Sequence, residues 1–130
     1  MTTTSLGDTV GARKVEWSRW CVPVAVALVI AAATSWPTPV AMPGSSDKLA
    51  HLLSYAALAA SVAWAARSRR WTQAFGCIVL ASLLGAADEW HQQFIPGRRM
   101  ELRDWFADTA GAVLGSSLVT ALARRREPVA

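Results

Sequence analysis

Acidic, basic and amide side chains recur at helical spacing in three segments of the chain. Lys48, His51 and Tyr55 are spaced i, i+3 and i+7, so they share one face of a helix. The other two segments contain carboxylates and an amide at similar spacing, namely Asp88, Glu89 and Gln92, and then Glu101, Asp104 and Asp108. Side chains of these types bind divalent cations, hold phosphate groups or transfer protons.

The rest of the chain is too apolar for a soluble domain of its size. Of its 130 residues, 53% are hydrophobic and 17% are charged, and the mean hydropathy is +0.28. Soluble domains have roughly a quarter of their residues charged. Disordered chains combine low hydrophobicity with high charge, so the same figures exclude a disordered chain. The composition therefore predicts a membrane protein, and the length suits one domain.

Four apolar runs are long enough to cross a bilayer, which takes about 17 to 25 residues in a helix. They cover residues 20–36, 49–66, 71–87 and 105–123, and several of them end on tryptophan, as is common at the headgroup level. The predicted fold is all-α, a multi-pass membrane protein with a four-transmembrane-helix bundle. Residues 20–123 form this domain, between basic tails at residues 1–19 and 124–130.

The connections between the runs carry ordinary turn signals. Residues 37–46 are rich in proline, glycine and serine and predict a loop. The link at residues 67–70 is so short that the second and third helices must be antiparallel neighbours. Pro96 and Gly97 predict a turn before the fourth helix.

The basic residues predict the orientation of the bundle. Three clusters fall on one side, and they comprise Arg13, Lys14 and Arg19, then Arg67, Arg69 and Arg70, and finally Arg124, Arg125 and Arg126. The opposite side holds Lys48, Arg98, Arg99 and Arg103. This bias predicts that both termini are cytoplasmic and that the polar segments lie on the outer face. Since the net charge of +4 is spread over separate clusters, no nucleic-acid partner is predicted.

The first run also has features of a cleaved signal peptide, because it follows a basic stretch and contains Ala31, Ala32 and Ala33. It is longer than the usual apolar region of a signal peptide and ends on Trp36 and Pro37. We therefore favour a retained first helix. Cleavage would leave a three-helix protein.

Neither cysteine stands near other metal ligands in the sequence. Cys21 and Cys77 lie inside apolar runs and are predicted to be buried and inert. No cofactor is predicted, although His51 with the neighbouring carboxylates could ligate a divalent ion or act as acid and base around a phosphate.

One carboxylate lies within an apolar run. Asp108 is about one turn inside the fourth run, where it must be paired, protonated or hydrated. The available basic partners are Lys48, Arg98 and Arg99, and such a pair would form a structural lock. Gly111 and Gly115 on the same stripe form a small-xxx-small pair, which predicts close approach of a neighbouring helix.

Three motifs resemble those of VanZ-like membrane proteins. The first is Asp47, Lys48 and His51 followed by Tyr55, the second is D-E-x-x-Q-x-F-x-P-G-R from Asp88 to Arg98, and the third is D-x-x-A-[N/D]-x-x-G from Asp104 to Gly111. The resemblance covers residues 47–115. It implies a small multi-pass protein of the bacterial cytoplasmic membrane. The member that gives the family its name is linked to low-level resistance to a glycopeptide antibiotic, and no reaction is established for the family.

The chain departs from this family pattern at two positions. Glu101 occupies a position where family members vary, and Asp108 stands where asparagine is common. The resemblance therefore does not fix the number of charges in the site.

We expect the polar residues to form an outer-face site that binds an anionic cell-envelope component, either lipid-linked or a cell-wall precursor. The residues expected to bind it are Asp47, Lys48, Tyr55, Gln92, Arg98 and Asp108, with Lys48 and Arg98 holding the anion. The residues placed for proton transfer, if a reaction occurs, are His51, Asp88, Glu89 and Asp104. The sequence leaves open whether the protein is an enzyme.

Two other functions are compatible with the same residues. In one, the protein is a non-enzymatic packing or adaptor protein whose charged motifs lock the helix ends together. In the other, it is a transporter subunit, which would have to form a homo-oligomer because one four-helix protomer is small and shows no inverted repeat.

Overall fold

A computed structural model describes residues 16–37 and 44–126, which fold into four helices. They are α1 at Trp17–Thr34, α2 at Gly44–Ala65, α3 at Trp71–Gln92 and α4 at Leu102–Arg125. No strand occurs within the two described ranges. The all-α prediction is confirmed. Residues 1–15 and 127–130, which include Arg13 and Lys14 of the predicted N-terminal tail, lie outside the described residues.

Each helix contains most of one predicted apolar run and extends further into polar residues. Residues 44–46 belong to the first turn of α2, so this part of the predicted 37–46 loop is wrong, and residues 38–43 of it lie outside the described residues. α3 continues to Gln92, and α4 starts at Leu102, before the apolar run. The helices continue past the apolar residues because polar side chains at these ends pair across the bundle.

Three of the four helices are long and apolar enough to cross a membrane, namely α1, α3 and α4. Their outward faces carry exposed leucine, valine and phenylalanine side chains, such as Leu28, Phe75 and Leu118. α2 does not reach that hydropathy, because Lys48, His51 and other polar side chains occupy its first turns. It packs against each of the other three helices and is the interior helix of the bundle.

α2 and α4 cross with their backbones in contact. A Cβ atom added at Gly111 would overlap the Leu52 carbonyl oxygen, and one added at Gly115 would overlap the Ala56 carbonyl oxygen. Only glycine leaves room for this approach. The predicted role of the small-xxx-small pair is confirmed, and α2 is the neighbouring helix.

The ends of α2, α3 and α4 that are remote from the polar motifs are joined by hydroxyl groups. The Ser68 and Thr120 hydroxyl oxygens lie 2.8 Å apart and are both buried. Ser116 donates to the Ala74 carbonyl oxygen at 3.1 Å. These bonds satisfy polar groups inside the bundle, which is a requirement for buried groups in an apolar surrounding.

The turn between α3 and α4 forms at the predicted place. The Arg98 N–H donates to the Ile95 carbonyl oxygen at 3.0 Å, and Gly97 between them has a φ of 84°. Proline followed by a residue with positive φ is typical of a type II turn, which requires glycine or asparagine there. This turn places Arg98 against the end of the bundle.

The two cysteines are both free, and they differ in environment. Cys77 is buried, as predicted, whereas the prediction for Cys21 is wrong because its side chain is exposed. Cys21 lies in α1, of whose residues only Pro23 is fully buried, so most of this helix faces outward.

Candidate functional site

The structure places the ten predicted site residues at one end of the bundle, which we call the polar end. They are Asp47, Lys48, His51 and Tyr55 of α2, Asp88, Glu89 and Gln92 of α3, Arg98 of the turn, and Asp104 and Asp108 of α4. This end is formed by the first turns of α2 and α4 and the last turns of α1 and α3. The roles predicted for the individual residues remain predictions.

Three of these residues form a buried triad, His51, Glu89 and Asp108, which are 7%, 1% and 0% exposed. His51 Nδ1 lies 2.9 Å from Asp108 Oδ1 and 3.8 Å from Glu89 Oε1. Within the described residues, Glu89 Oε1 and Asp108 Oδ2 are buried without a hydrogen-bond partner. Two carboxylates thus share one imidazole, and all three side chains are almost completely buried.

Neighbouring backbone fixes the position of both carboxylates. The Glu101 N–H donates to Glu89 Oε2 at 2.9 Å, which leaves Oε1 directed toward His51. Asp108 lies against Gly85 of α3, where an added Cβ would be 2.9 Å from Asp108 Oδ2. Gly85 therefore provides the space that the Asp108 carboxylate occupies.

The predicted basic partners of Asp108 are wrong, because its partner is His51 and not Lys48, Arg98 or Arg99. The reason is the close crossing of α2 and α4. Gly111 lies one turn after Asp108 and contacts the backbone at Leu52, the residue after His51. This contact brings Asp108 to the imidazole and away from the basic residues.

Lys48 bridges two acids, Asp104 within α4 and Glu101 at the N-terminal cap of α4. Its Nζ atom lies 3.3 Å from Asp104 Oδ1 and 3.7 Å from Glu101 Oε2. Asp104 is buried, whereas Lys48 and Glu101 are partly or fully exposed. The Lys48 charge is therefore already balanced by two carboxylates of the chain.

Asp88 joins α1 to α3. Its Oδ1 accepts a hydrogen bond from Thr34 Oγ1 at 2.7 Å, and its Oδ2 accepts one from Gln92 Nε2 at 3.1 Å. Thr34 was not among the predicted site residues. A hydroxyl residue in the last turn of an otherwise apolar helix is the signal that could have identified it.

Arg98 caps the polar end with long hydrogen bonds. Its guanidinium donates to Gln92 Oε1 at 3.5 Å, to the Ala33 carbonyl oxygen at 3.3 Å and to the Trp36 carbonyl oxygen at 3.4 Å. None of these acceptors is a carboxylate. The positive charge of Arg98 is thus held by neutral groups.

Two adjoining cavities open at this end. The smaller one, which we call the end cavity, has a volume of about 340 Å³ and a mostly apolar wall that also includes Asp47, His51 and Arg98. The apolar groove, of about 570 Å³, runs between α1, α2 and α3 and is lined mostly by aliphatic side chains. Asp88 lies in its wall at the polar end of the bundle. Both include Ile30 and Tyr55 in their walls, so the groove and the end cavity lie side by side.

The carboxylate and imidazole groups of the polar end are suited to a cation. One ligand atom from each member of the triad lies within 4.8 Å of the other two, and the same holds for Asp47, His51 and Asp104. Carboxylate oxygens and imidazole nitrogens are ligands of divalent metals. A proton shared between the triad members is the other species that this geometry can hold.

The fold and the site define a small helical membrane protein with a buried polar cluster at one end of its bundle. The chain belongs to the VanZ/LLP1 family, whose model matches residues 10–123. The predicted resemblance to VanZ-like proteins is confirmed. No curated protein and no solved structure matches the chain significantly.

Proposed function

We propose that this VanZ-family protein binds an anionic, lipid-linked component of the cell envelope at its polar end. The observation that carries the proposal is that the apolar groove adjoins the end cavity at Ile30 and Tyr55. An amphipathic ligand needs an apolar channel that ends in polar groups, and ligand sites of this kind are common between helices of a bundle.

The apolar groove is suited to a hydrocarbon chain. Its walls include Val24, Leu28, Leu58 and Leu84, and in a bilayer it would open toward the lipid. A lipid tail that enters the groove would place its headgroup beside Tyr55, next to the end cavity and Arg98. The groove therefore supports a lipid-linked ligand over a soluble one.

Arg98 is the residue best placed to contact the anionic headgroup. Guanidinium groups form strong, often bidentate hydrogen bonds with phosphate and carboxylate. The present acceptors of Arg98 are neutral and at 3.3 to 3.5 Å, so an anion would be a stronger partner than any of them. Lys48, which we also expected to hold the anion, would contribute only if Asp104 or Glu101 released it.

Arg98→Gln is expected to weaken lipid binding by about tenfold or more, because a hydrogen bond to a charged group contributes roughly 1.5 to 3 kcal/mol. Binding is measured by native mass spectrometry of lipids retained by the purified protein, followed by titration with an anionic polyisoprenyl phosphate. Arg99→Gln is the matched control, since Arg99 is the next residue and is exposed. Equal retention by the two variants and the unaltered chain would exclude Arg98 as the headgroup contact.

The proposal includes four membrane crossings, with both termini in the cytoplasm. α2 would cross as the interior helix, where protein rather than lipid surrounds its polar side chains. The polar end would then face outward, and the basic residues near Arg67 and Arg125 would face the cytoplasm.

Cysteine labelling tests this orientation. In a chain carrying Cys21→Ser and Cys77→Ala, we expect Arg99→Cys to react with a membrane-impermeant maleimide in intact cells. Arg125→Cys should react only after the membrane is permeabilised. Both positions are exposed, so reactivity reports the side of the membrane. The reverse pattern would place the polar end in the cytoplasm.

A second function, structural locking of the helix ends, is favoured by one specific observation. The contact of Thr34 with Asp88 ties α1 to α3, and that of Lys48 with Asp104 ties α2 to α4. Under this reading, neutralising any acid of the polar end should lower stability. If these residues instead bind a ligand, neutralising some of these acids should raise the stability of the ligand-free protein.

A further inference from the structure

The two carboxylates of the buried triad carry more negative charge than the described residues around them compensate. Neither Glu89 nor Asp108 has a lysine or arginine partner among residues 16–37 and 44–126, and both are almost completely buried. A buried charge without a partner is costly to maintain. His51 can balance one carboxylate at most.

We propose that His51, Glu89 and Asp108 bind a single divalent transition-metal ion, of which Zn²⁺ and Mn²⁺ are the best candidates. One divalent cation balances two carboxylates around a neutral imidazole. It would also supply a partner for Glu89 Oε1 and Asp108 Oδ2, the two buried oxygens that have none in the described part of the chain.

The distances allow an ion to enter with small movements. Two ligands about 2.1 Å from a tetrahedral metal lie about 3.4 Å apart. His51 Nδ1 and Glu89 Oε1 are separated by 3.8 Å, close to that value. Asp108 Oδ1 lies 2.9 Å from the same nitrogen, so a rotation of this carboxylate is the main change required.

Surrounding groups hold the ligands as a metal site requires. The Glu101 N–H binds Glu89 Oε2 and leaves the other oxygen available, which is the usual arrangement of a supporting hydrogen bond around a metal. Gly85 keeps space beside Asp108 Oδ2 that any side chain would fill. The site is therefore supported by groups on two helices besides its ligands.

The other possible ligand set, Asp47, His51 and Asp104, is less suitable. Asp104 is already paired with Lys48 at 3.3 Å, and an ion there would face the lysine ammonium. Among the residues that the structure describes, no lysine or arginine pairs with the buried triad. Mixed nitrogen and oxygen ligands also favour Zn²⁺ or Mn²⁺ over Ca²⁺ and Mg²⁺, which bind mainly oxygen.

Metal analysis of the full chain in lipid nanodiscs tests the proposal, with no lipid ligand added. After removal of metals with a chelator, the protein is titrated with Zn²⁺ or Mn²⁺, desalted and measured by elemental mass spectrometry. We expect one ion per chain. We expect Glu89→Gln and Asp108→Asn to lower its affinity by at least about tenfold. Glu101→Gln, a matched acid outside the triad, should retain it.

Co²⁺ provides a second measurement that does not depend on the variants. When Co²⁺ occupies the triad, visible absorption bands of a low-symmetry cobalt site should appear and should disappear when Zn²⁺ is added. Gly85→Ala should weaken the bands, because its Cβ would displace Asp108.

Absence of a retained ion and of cobalt bands in the unaltered chain would overturn the metal proposal. Retention that is unchanged in both triad variants would also overturn it. Because the metal is the only probe, a negative result here does not affect the outcome of the Arg98 lipid-binding experiment.

Discussion

Gly111→Ala is expected to lower the free energy of unfolding by about 3 kcal/mol, the upper part of the range for overpacking a closely packed site. A single methyl group has this effect because its position is occupied by the Leu52 carbonyl oxygen of α2. The obstacle is backbone and not a flexible side chain. α2 and α4 would have to move apart along their whole contact.

The loss is expected despite an opposing local effect. Alanine favours a helix over glycine by about 1 kcal/mol, so a substitution governed by helix propensity alone would stabilise the chain. Gly76→Ala is the matched control, since nothing lies within 4 Å of a Cβ added at Gly76 in α3. We expect that control to be neutral or stabilising.

Thermal unfolding of the purified variants in one detergent gives the comparison. A Gly111→Ala protein as stable as the Gly76→Ala protein would show that α2 and α4 do not cross with their backbones in contact. The same variant should also weaken metal binding, because Asp108 lies one turn before Gly111 and faces His51 across this crossing.

The crossing illustrates what could be predicted from the sequence. The spacing of Gly111 and Gly115 indicates a close helix contact without any knowledge of the partner. The four helices follow from the lengths of the apolar runs. The grouping of the polar motifs at one end follows from the alternating direction of antiparallel helices.

The pairing inside the polar end could not be predicted in the same way. Which side chain meets Asp108 depends on the rotation of α4 about its axis and on the crossing with α2, and helical periodicity fixes neither. Nearby basic residues were therefore the expected partners, whereas the structure selects His51. Thr34 was missed for a related reason, since α1 carries no motif and reaches Asp88 only through packing.

The length of the helices was underestimated at the polar end for a further physical reason. An apolar run ends where polar residues begin, but a helix ends where its backbone loses hydrogen-bond partners. In α3, the helix continues through Asp88 and Glu89 to Gln92 because these side chains have partners inside the bundle. Polar residues at a membrane helix end can therefore belong to a site and need not mark its boundary.

Glu89→Gln is expected to raise the free energy of unfolding of the metal-free chain by roughly 1 to 3 kcal/mol, because it removes an uncompensated buried charge. The amide preserves the shape of the side chain and still offers an oxygen to the Glu101 N–H. Asp88→Asn is the matched control at the next residue. Asp88 has partners for both oxygens, so its neutralisation should lower stability by about 1 kcal/mol.

Added Zn²⁺ or Mn²⁺ should reverse the order of stability, so that the unaltered protein becomes more stable than the Glu89→Gln protein. The ion stabilises a folded chain that binds it and adds little stability to a chain that lacks the Glu89 metal ligand. Melting temperatures measured with chelator and with metal therefore separate three outcomes. A reversal supports a metal site at the triad. Higher stability of Glu89→Gln under both conditions indicates a buried charge without an ion, and lower stability under both indicates that Glu89 locks the helix ends together.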